Sequence, residues 1–328
     1  MQKQLYETVV PLGEQEERLR HPFRKESLSA RSTTFPTDEG CVSYIEGRDY
    51  VVDHGKGTIR RTPGSRMPDW TTHELFGKEN FDHSLCKEYR NVNHTVYVDY
   101  EYEPTAQGGR AHAVPAGPRI THTLEKLKGG GAVRYVVFGD SISTGAEASR
   151  PSLAFHNLFA ERLRSLAPRG ATVEIINKAV GGERSLEGVG RLQGDVLDQA
   201  PDLVTITFGA NDQCKLRTDK ECHVPQPAFR SHMTSIVEKI RGAGADVVLI
   251  TPLILNPDWM YTSGTISAYA DILRDIARQT GACLADLNAL WQAAMDAGKT
   301  YRSLLMNNIN HPNDYGHQLY ADALATVL

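Results

Sequence analysis

Four short blocks of this sequence hold the residue types that acyl transfer uses. Gly139-Asp140-Ser141 sets a serine beside a glycine, and Asn177 to Gly182 combines an asparagine with a glycine pair. Gly209-Ala210-Asn211-Asp212 offers a second asparagine, and Asn308-Ile309-Asn310-His311 a histidine. A serine hydroxyl is a weak nucleophile until a neighbouring base, most often histidine, takes its proton. The oxyanion formed on attack at a carbonyl needs donors fixed in advance, which backbone N–H groups and an asparagine amide supply. Glycine beside such a centre lets the backbone approach a substrate with no Cβ in the way.

The elements that must position these blocks can be read from hydrophobic rhythm. Apolar runs at 136–138, 173–176, 203–208, 247–250 and 283–285 alternate with amphipathic stretches at 153–166, 229–240 and 266–277. A last helix is expected over 315–328. Short apolar strands alternating with helices predict a parallel sheet covered on both faces. In such sheets functional groups gather beyond the carboxyl ends of the strands. The first three blocks follow the first three strands, and the fourth precedes the last helix. Residues 1–128 read differently. Runs such as Val42-Ser43-Tyr44-Ile45 and 95–100 are rich in β-formers, and in the latter Val96, Val98 and Tyr100 share one face. A small β-rich, sandwich-like domain is expected over 1–128, a hydrolase domain over 129–328, and Gly129-Gly130-Gly131 as the flexible connection between them.

The four blocks, in this order, resemble the SGNH (GDSL-type) hydrolases over roughly residues 133–328. The resemblance implies a three-layer α/β/α domain with a five-stranded parallel sheet. It implies Ser141 as nucleophile, His311 as general base, and an oxyanion hole formed by the Ser141 N–H, Gly182 and Asn211. Gly-Asp-Ser alone is a weak signal; all four blocks together are a strong one. The family usually carries aspartate three residues before the histidine, and here that position is Asn308. An asparagine offers a carbonyl acceptor but no charge, and in the serine-protease case an Asp→Asn change costs about 10⁴ in turnover. Three readings stand: a Ser–His dyad with a backbone or Asn308 carbonyl orienting His311, another carboxylate substituting from elsewhere, or a change that slows turnover. Carbohydrate esterases of this superfamily with an N-terminal β-domain are similar in layout. An acetylesterase acting on a carbohydrate, without cofactor, is therefore the leading expectation. The alternatives are a catalytically weak sugar-binding module, or a lipase, thioesterase or acyltransferase of the same fold.

Other residues carry plainer alternatives. Ser141 on its own could be a helix N-cap, and Asp140 and Asp212 read as hydrogen-bonding groups that hold the loops. Trp259 and Tyr261 suit either an aromatic wall for a sugar ring or core packing. His317 reads as a surface or packing histidine. Gly188-x-Gly190-x-x-x-Gly194 fails the dinucleotide spacing. Cys214, Cys222 and His223 lack the spacing of a metal site, and the G-x-S-x-G elbow is absent.

Composition narrows the partners. Across 328 residues, 36 Lys+Arg against 40 Asp+Glu give a net charge of −4, so no nucleic-acid footprint is present. No apolar run approaches the ~20 residues of a membrane span. Five cysteines without regular spacing do not form a disulfide framework. A cytoplasmic protein acting on a small-molecule ester is expected, with both a monomer and a homo-oligomer open to it.

Overall fold

The computed structural model describes residues 1–103, 117–215 and 222–328. The chain forms two units that interleave in sequence. The first comprises Met1–Ala113, Asp258–Met260 and Gln292–Gly316; the second comprises Val114–Pro257, Tyr261–Trp291 and His317–Leu328.

The first unit is built on two antiparallel sheets. Strands β1 (Gln2–Val9), β3 (Ser29–Arg31), β4 (Ser43–Tyr44) and β7 (Val96–Tyr102) form one, in the order β1-β7-β3-β4. Strands β2 (Glu16–Arg18), β5 (Tyr50–Asp53) and β6 (Thr58–Arg61) form the other, in the order β2-β6-β5. Val9, Ala30, Val96, Val98 and Tyr100 from the first sheet share one apolar core with Tyr50 and Ile59 from the second. That arrangement is sandwich-like.

The late segment 292–316 contributes the short helix α7 (Tyr301–Leu304) and is tied to β1 by buried polar groups. Lys299 pairs with Glu7 and also donates to the Thr8 carbonyl at 3.1 Å. The remaining capacity of the Glu7 carboxylate is taken by Tyr100 Oη at 2.5 Å and the Arg20 N–H at 2.8 Å.

The second unit holds a five-stranded parallel sheet. It is formed by β8 (Ala132–Gly139), β9 (Thr172–Asn177), β10 (Leu203–Thr207), β11 (Asp246–Ile250) and β12 (Cys283–Ala285), in the order β12-β11-β10-β8-β9. Its helices are α1 (Thr121–Lys128), α2 (Phe155–Leu166), α3 (Ser185–Asp195), α4 (Gln226–Gly242) and α5 (Ile266–Thr280), joined by parts of α6 (Leu287–Asp296) and α8 (Asp314–Ala325). Alternation along each strand separates the two faces. Val136, Phe138, Val204, Ile206, Val247 and Leu249 pack against α3, α4 and α5. On the opposite face Tyr135 meets Phe159 of α2 edge-on, with ring centroids 5.9 Å apart. The strand order is that of flavodoxin-like sheets, which places the switch point between β8 and β10.

The triple glycine is not a connection between units. Gly129 ends α1, and Gly131 leads directly into β8. Helix α1 belongs to the second unit, anchored by the Thr123 N–H on Asp246 Oδ2 at 2.8 Å and by Lys126 on Asp202 at 2.6 Å. Three consecutive glycines can loosen a linker, yet here they turn the chain from helix to strand within the second unit.

Replacing Lys299 with methionine keeps the stem and removes the ammonium, leaving the fully buried Glu7 carboxylate without its cation. A loss of about 3–5 kcal/mol is expected for the first unit, measured as a fall in the urea midpoint; an unchanged midpoint would show that the pair contributes nothing.

Candidate active site

At the end of β8 the chain has no space for a side chain. A Cβ on Gly139 would lie 2.6 Å from the Thr207 carbonyl oxygen and 2.7 Å from Ser143 Oγ. Glycine lets β8 and β10 run side by side to their ends, and the chain then turns through Ser141. Asp140 Oδ1 accepts the Ile142 N–H at 3.0 Å, and the Ser141 carbonyl accepts Thr144 Oγ1 at 2.6 Å and the Ala146 N–H at 3.2 Å. These bonds make a closed turn with Ser141, half-buried, at its start.

The loop after β9 is fastened to that turn. Asn177 Oδ1 accepts the Ala179 N–H at 2.9 Å while its Nδ2 donates to the Ser143 carbonyl at 2.9 Å. The Val180 N–H reaches the Gly139 carbonyl at 3.0 Å, and a Cβ on Gly181 would come within 3.7 Å of Ser141 Cβ. Gly182 follows at φ +81°, a left-handed conformation that suits glycine. From the third block, Asn211 Nδ2 donates to the Glu183 carbonyl at 2.9 Å. Asp212 collects three donors: the Ser185 N–H at 3.0 Å, Ser185 Oγ at 2.5 Å and the Gly209 N–H at 3.0 Å. Ser141, the Gly181-Gly182 turn and Asn211 are thus assembled at the ends of β8, β9 and β10.

Charge under this rim is unevenly held. Asp140 and Asp212 are both fully buried, and burial raises both carboxyls. Asp140 is pushed up to about 7 by burial, with the neighbouring Asp212 charge adding to it. Among the described residues its Oδ2 has no hydrogen-bond partner, whereas Asp212 has three donors. Three donors favour the ionised form of Asp212, whereas burial pushes Asp140 the further toward its neutral acid. His317 is also buried. Its Nδ1 accepts the Phe155 N–H at 3.3 Å, so Nε2 donates to the Ala146 carbonyl at 3.1 Å, bracing the turn that follows Ser141. Packing, one of the two readings of this histidine, is its role.

The histidine block lies in the first unit and is an asparagine-built loop. Asn307 Oδ1 accepts the N–H groups of Ile309, Asn310 and His311 at 3.0, 3.0 and 2.8 Å. The Met306 N–H donates to the His311 carbonyl at 2.9 Å, and Asn313 Nδ2 donates to the Ser303 carbonyl at 2.9 Å. Asn308 sits at φ +55°, tolerated by asparagine, with a buried side chain. Its Nδ2 donates to the Tyr89 carbonyl at 2.8 Å and to Asn91 Oδ1 at 2.7 Å, and its Oδ1 accepts from Asn91 Nδ2 at 2.9 Å. Asn91 carries no signal in its local sequence. Asn307 and Asn313 are foreshadowed only by the density of asparagine in Asn307-Asn308-Ile309-Asn310-His311-Pro312-Asn313.

Trp259 belongs to the first unit, is buried, and donates its indole N–H to His83 Nδ1 at 3.1 Å; Tyr261 belongs to the second. Packing is what the structure gives Trp259. Among the described residues no group of three His, Cys, Asp or Glu side chains is placed to hold a metal ion, and no helix is long and apolar enough to cross a membrane.

A parallel sheet with a serine, a glycine turn and an asparagine at its switch point defines the class of protein, a carboxylic ester hydrolase on an α/β sheet. The chain belongs to the GDSL-like lipase/acylhydrolase family, whose model matches residues 137–319. It is 26% identical over 155 residues to an acetylxylan esterase from Geobacillus stearothermophilus, a match covering 46% of this chain and 70% of that protein. A catalytic mutant of an acetylxylan esterase from the same organism shares the fold, with TM-score 0.51 and 24% identity over 60% of this chain and 94% of that one. A two-domain esterase active on acetylated mannans shares it with TM-score 0.51 and 24% identity over 64% of this chain, spanning only 53% of the mannan esterase.

Asp140 provides a pH test. In the unfolded chain its carboxyl titrates near ~3.9, while in the fold it holds its proton to about 7. Its stabilising contribution is therefore whole below the unfolded value and is lost as pH rises toward the folded one. Asp140→Asn cannot ionise, so the urea midpoint of wild type relative to this variant should decline steadily between those values and level off above them. A pH-independent difference would contradict the assignment.

Proposed function

We propose that the protein is an acetylesterase that removes O-acetyl groups from a carbohydrate. The observation that carries the chemistry is the joining of Ser141, Gly182 and Asn211 at three adjacent strand ends. The substrate class rests on likeness to the acetylxylan esterase and the mannan esterase.

In this reading Ser141 Oγ attacks the acetyl carbonyl carbon and His311 takes the hydroxyl proton. The carbonyl oxygen becomes an oxyanion held by the Ser141 N–H, the Gly182 N–H and the Asn211 amide. The Asn211 amide has two N–H groups; the Glu183 carbonyl takes one and thereby aims the other. Collapse of the tetrahedral intermediate breaks the bond to the sugar oxygen, which leaves with the proton from His311. Water then attacks the acetyl–Ser141 ester, with His311 again as base, and acetate departs. No step needs a cofactor.

Ser141→Ala and His311→Ala should each abolish release of acetate from acetylated xylo- or manno-oligosaccharides, and Asn211→Ala should lower kcat by about 10²–10³. Glycan binding by wild type without any acetate release would instead identify a sugar-binding module. Faster turnover of long-chain aryl esters than of acetates would place the protein with lipases or thioesterases.

A further inference from the structure

Asn91 and Asn308 form a closed amide pair, each side chain donating to and accepting from the other, at 2.9 and 2.7 Å. Two such amides could in principle flip together and keep the same ring of bonds. Backbone carbonyls forbid this. Asn308 Nδ2 also faces the Tyr89 carbonyl at 2.8 Å, and Asn91 Nδ2 also faces those of Arg302 at 2.9 Å and Leu305 at 3.0 Å. Reversing either amide would bring its oxygen against carbonyl oxygens in a buried place, which costs the desolvation of unsatisfied groups. Both hydrogens of Asn308 Nδ2 are committed, so the side chain retains only acceptor capacity, on Oδ1.

We propose that Asn91 is a positioning residue for the hydrolase: it clamps the Asn308 amide so that only an oxygen is offered to His311, selecting the Nδ1–H tautomer that an aspartate three residues before the histidine would select. The inference rests on the Ser141–His311 reading above. A neutral oxygen held in one orientation supplies the tautomer and ring orientation, though not the charge, of the missing carboxylate.

The same geometry makes aspartate unsuitable at 308. A carboxylate would present an oxygen, in place of Nδ2, to the Tyr89 carbonyl and to Asn91 Oδ1, with no hydrogen on either contact. Asn91 cannot turn its amide to help, because its nitrogen is held by the Arg302 and Leu305 carbonyls. Restoring the residue usual in the family should therefore harm this protein unless Asn91 is changed as well.

The experiment measures kcat, KM and thermal midpoint with an aryl acetate for wild type, Asn308→Asp, Asn91→Ala and the double variant, with Ser141→Ala and His311→Ala as controls. Asn308→Asp and Asn91→Ala should each lower kcat by about 10-fold or more with little change in KM. The double variant should turn over faster than Asn308→Asp alone, since removing Asn91 Oδ1 leaves room for the carboxylate. A merely structural pair would lower the thermal midpoint without this reversal of sign. Asn308→Asp matching or exceeding wild type, or a double variant no faster than Asn308→Asp, overturns the proposal. Should Asn91→Ala not fold, Asn91→Ser takes its place in the single and the double variant. Loss of activity in both controls with a contrary result at 91 and 308 rejects this inference alone. Controls that retain full activity reject the hydrolase reading beneath it.

Discussion

A chain that leaves a β-strand and turns at once must find acceptors for backbone N–H groups that no longer have a ladder partner. This protein meets the constraint with short side-chain acceptors at every functional block. Asp140 takes the Ile142 N–H, Asn177 that of Ala179, and Asp212 those of Gly209 and Ser185. Asn307 takes three in succession, ending at His311. These bonds determine where the loops go, and the loops determine where Ser141, Gly182, Asn211 and His311 stand.

The side chains that hold the loops and the residues assigned to the chemistry share the same turns. Asp140 and Asp212 hold loops, and Ser141 and Asn211 are placed by them. The cost is electrostatic: two acidic side chains are buried beneath the Ser141 turn, and Asp212 is the one that three donors solvate. Leaving Asp140 as a neutral acid is the less expensive arrangement where two like charges share a low-dielectric site.

Much of the sheet was legible because each strand is a short apolar run set off by an amphipathic helix; 203–208 and 247–250 match β10 and β11 to within a residue. The first three blocks were legible for the same reason, since a residue placed after a predicted strand is placed in space. In the first unit, β2, β3 and β4 are two or three residues long, too short to display a period. That 292–316 belongs with the N-terminal strands was also invisible. The link is made by Lys299 with Glu7 and by Asn308 with Asn91, pairs more than 200 residues apart whose members look ordinary in their own neighbourhoods. Asn308 stood out as an exception to a pattern, but its meaning depended on a partner that no local signal marks.

The proposed esterase activity depends on Ser141 being the residue that becomes acylated. Labelling the native protein with a fluorophosphonate and locating the adduct by peptide mass mapping tests this most directly. A single stoichiometric adduct on Ser141, formed in step with loss of esterase activity, is the predicted result. An adduct on another residue, or esterase activity that persists with Ser141 fully labelled, would contradict it.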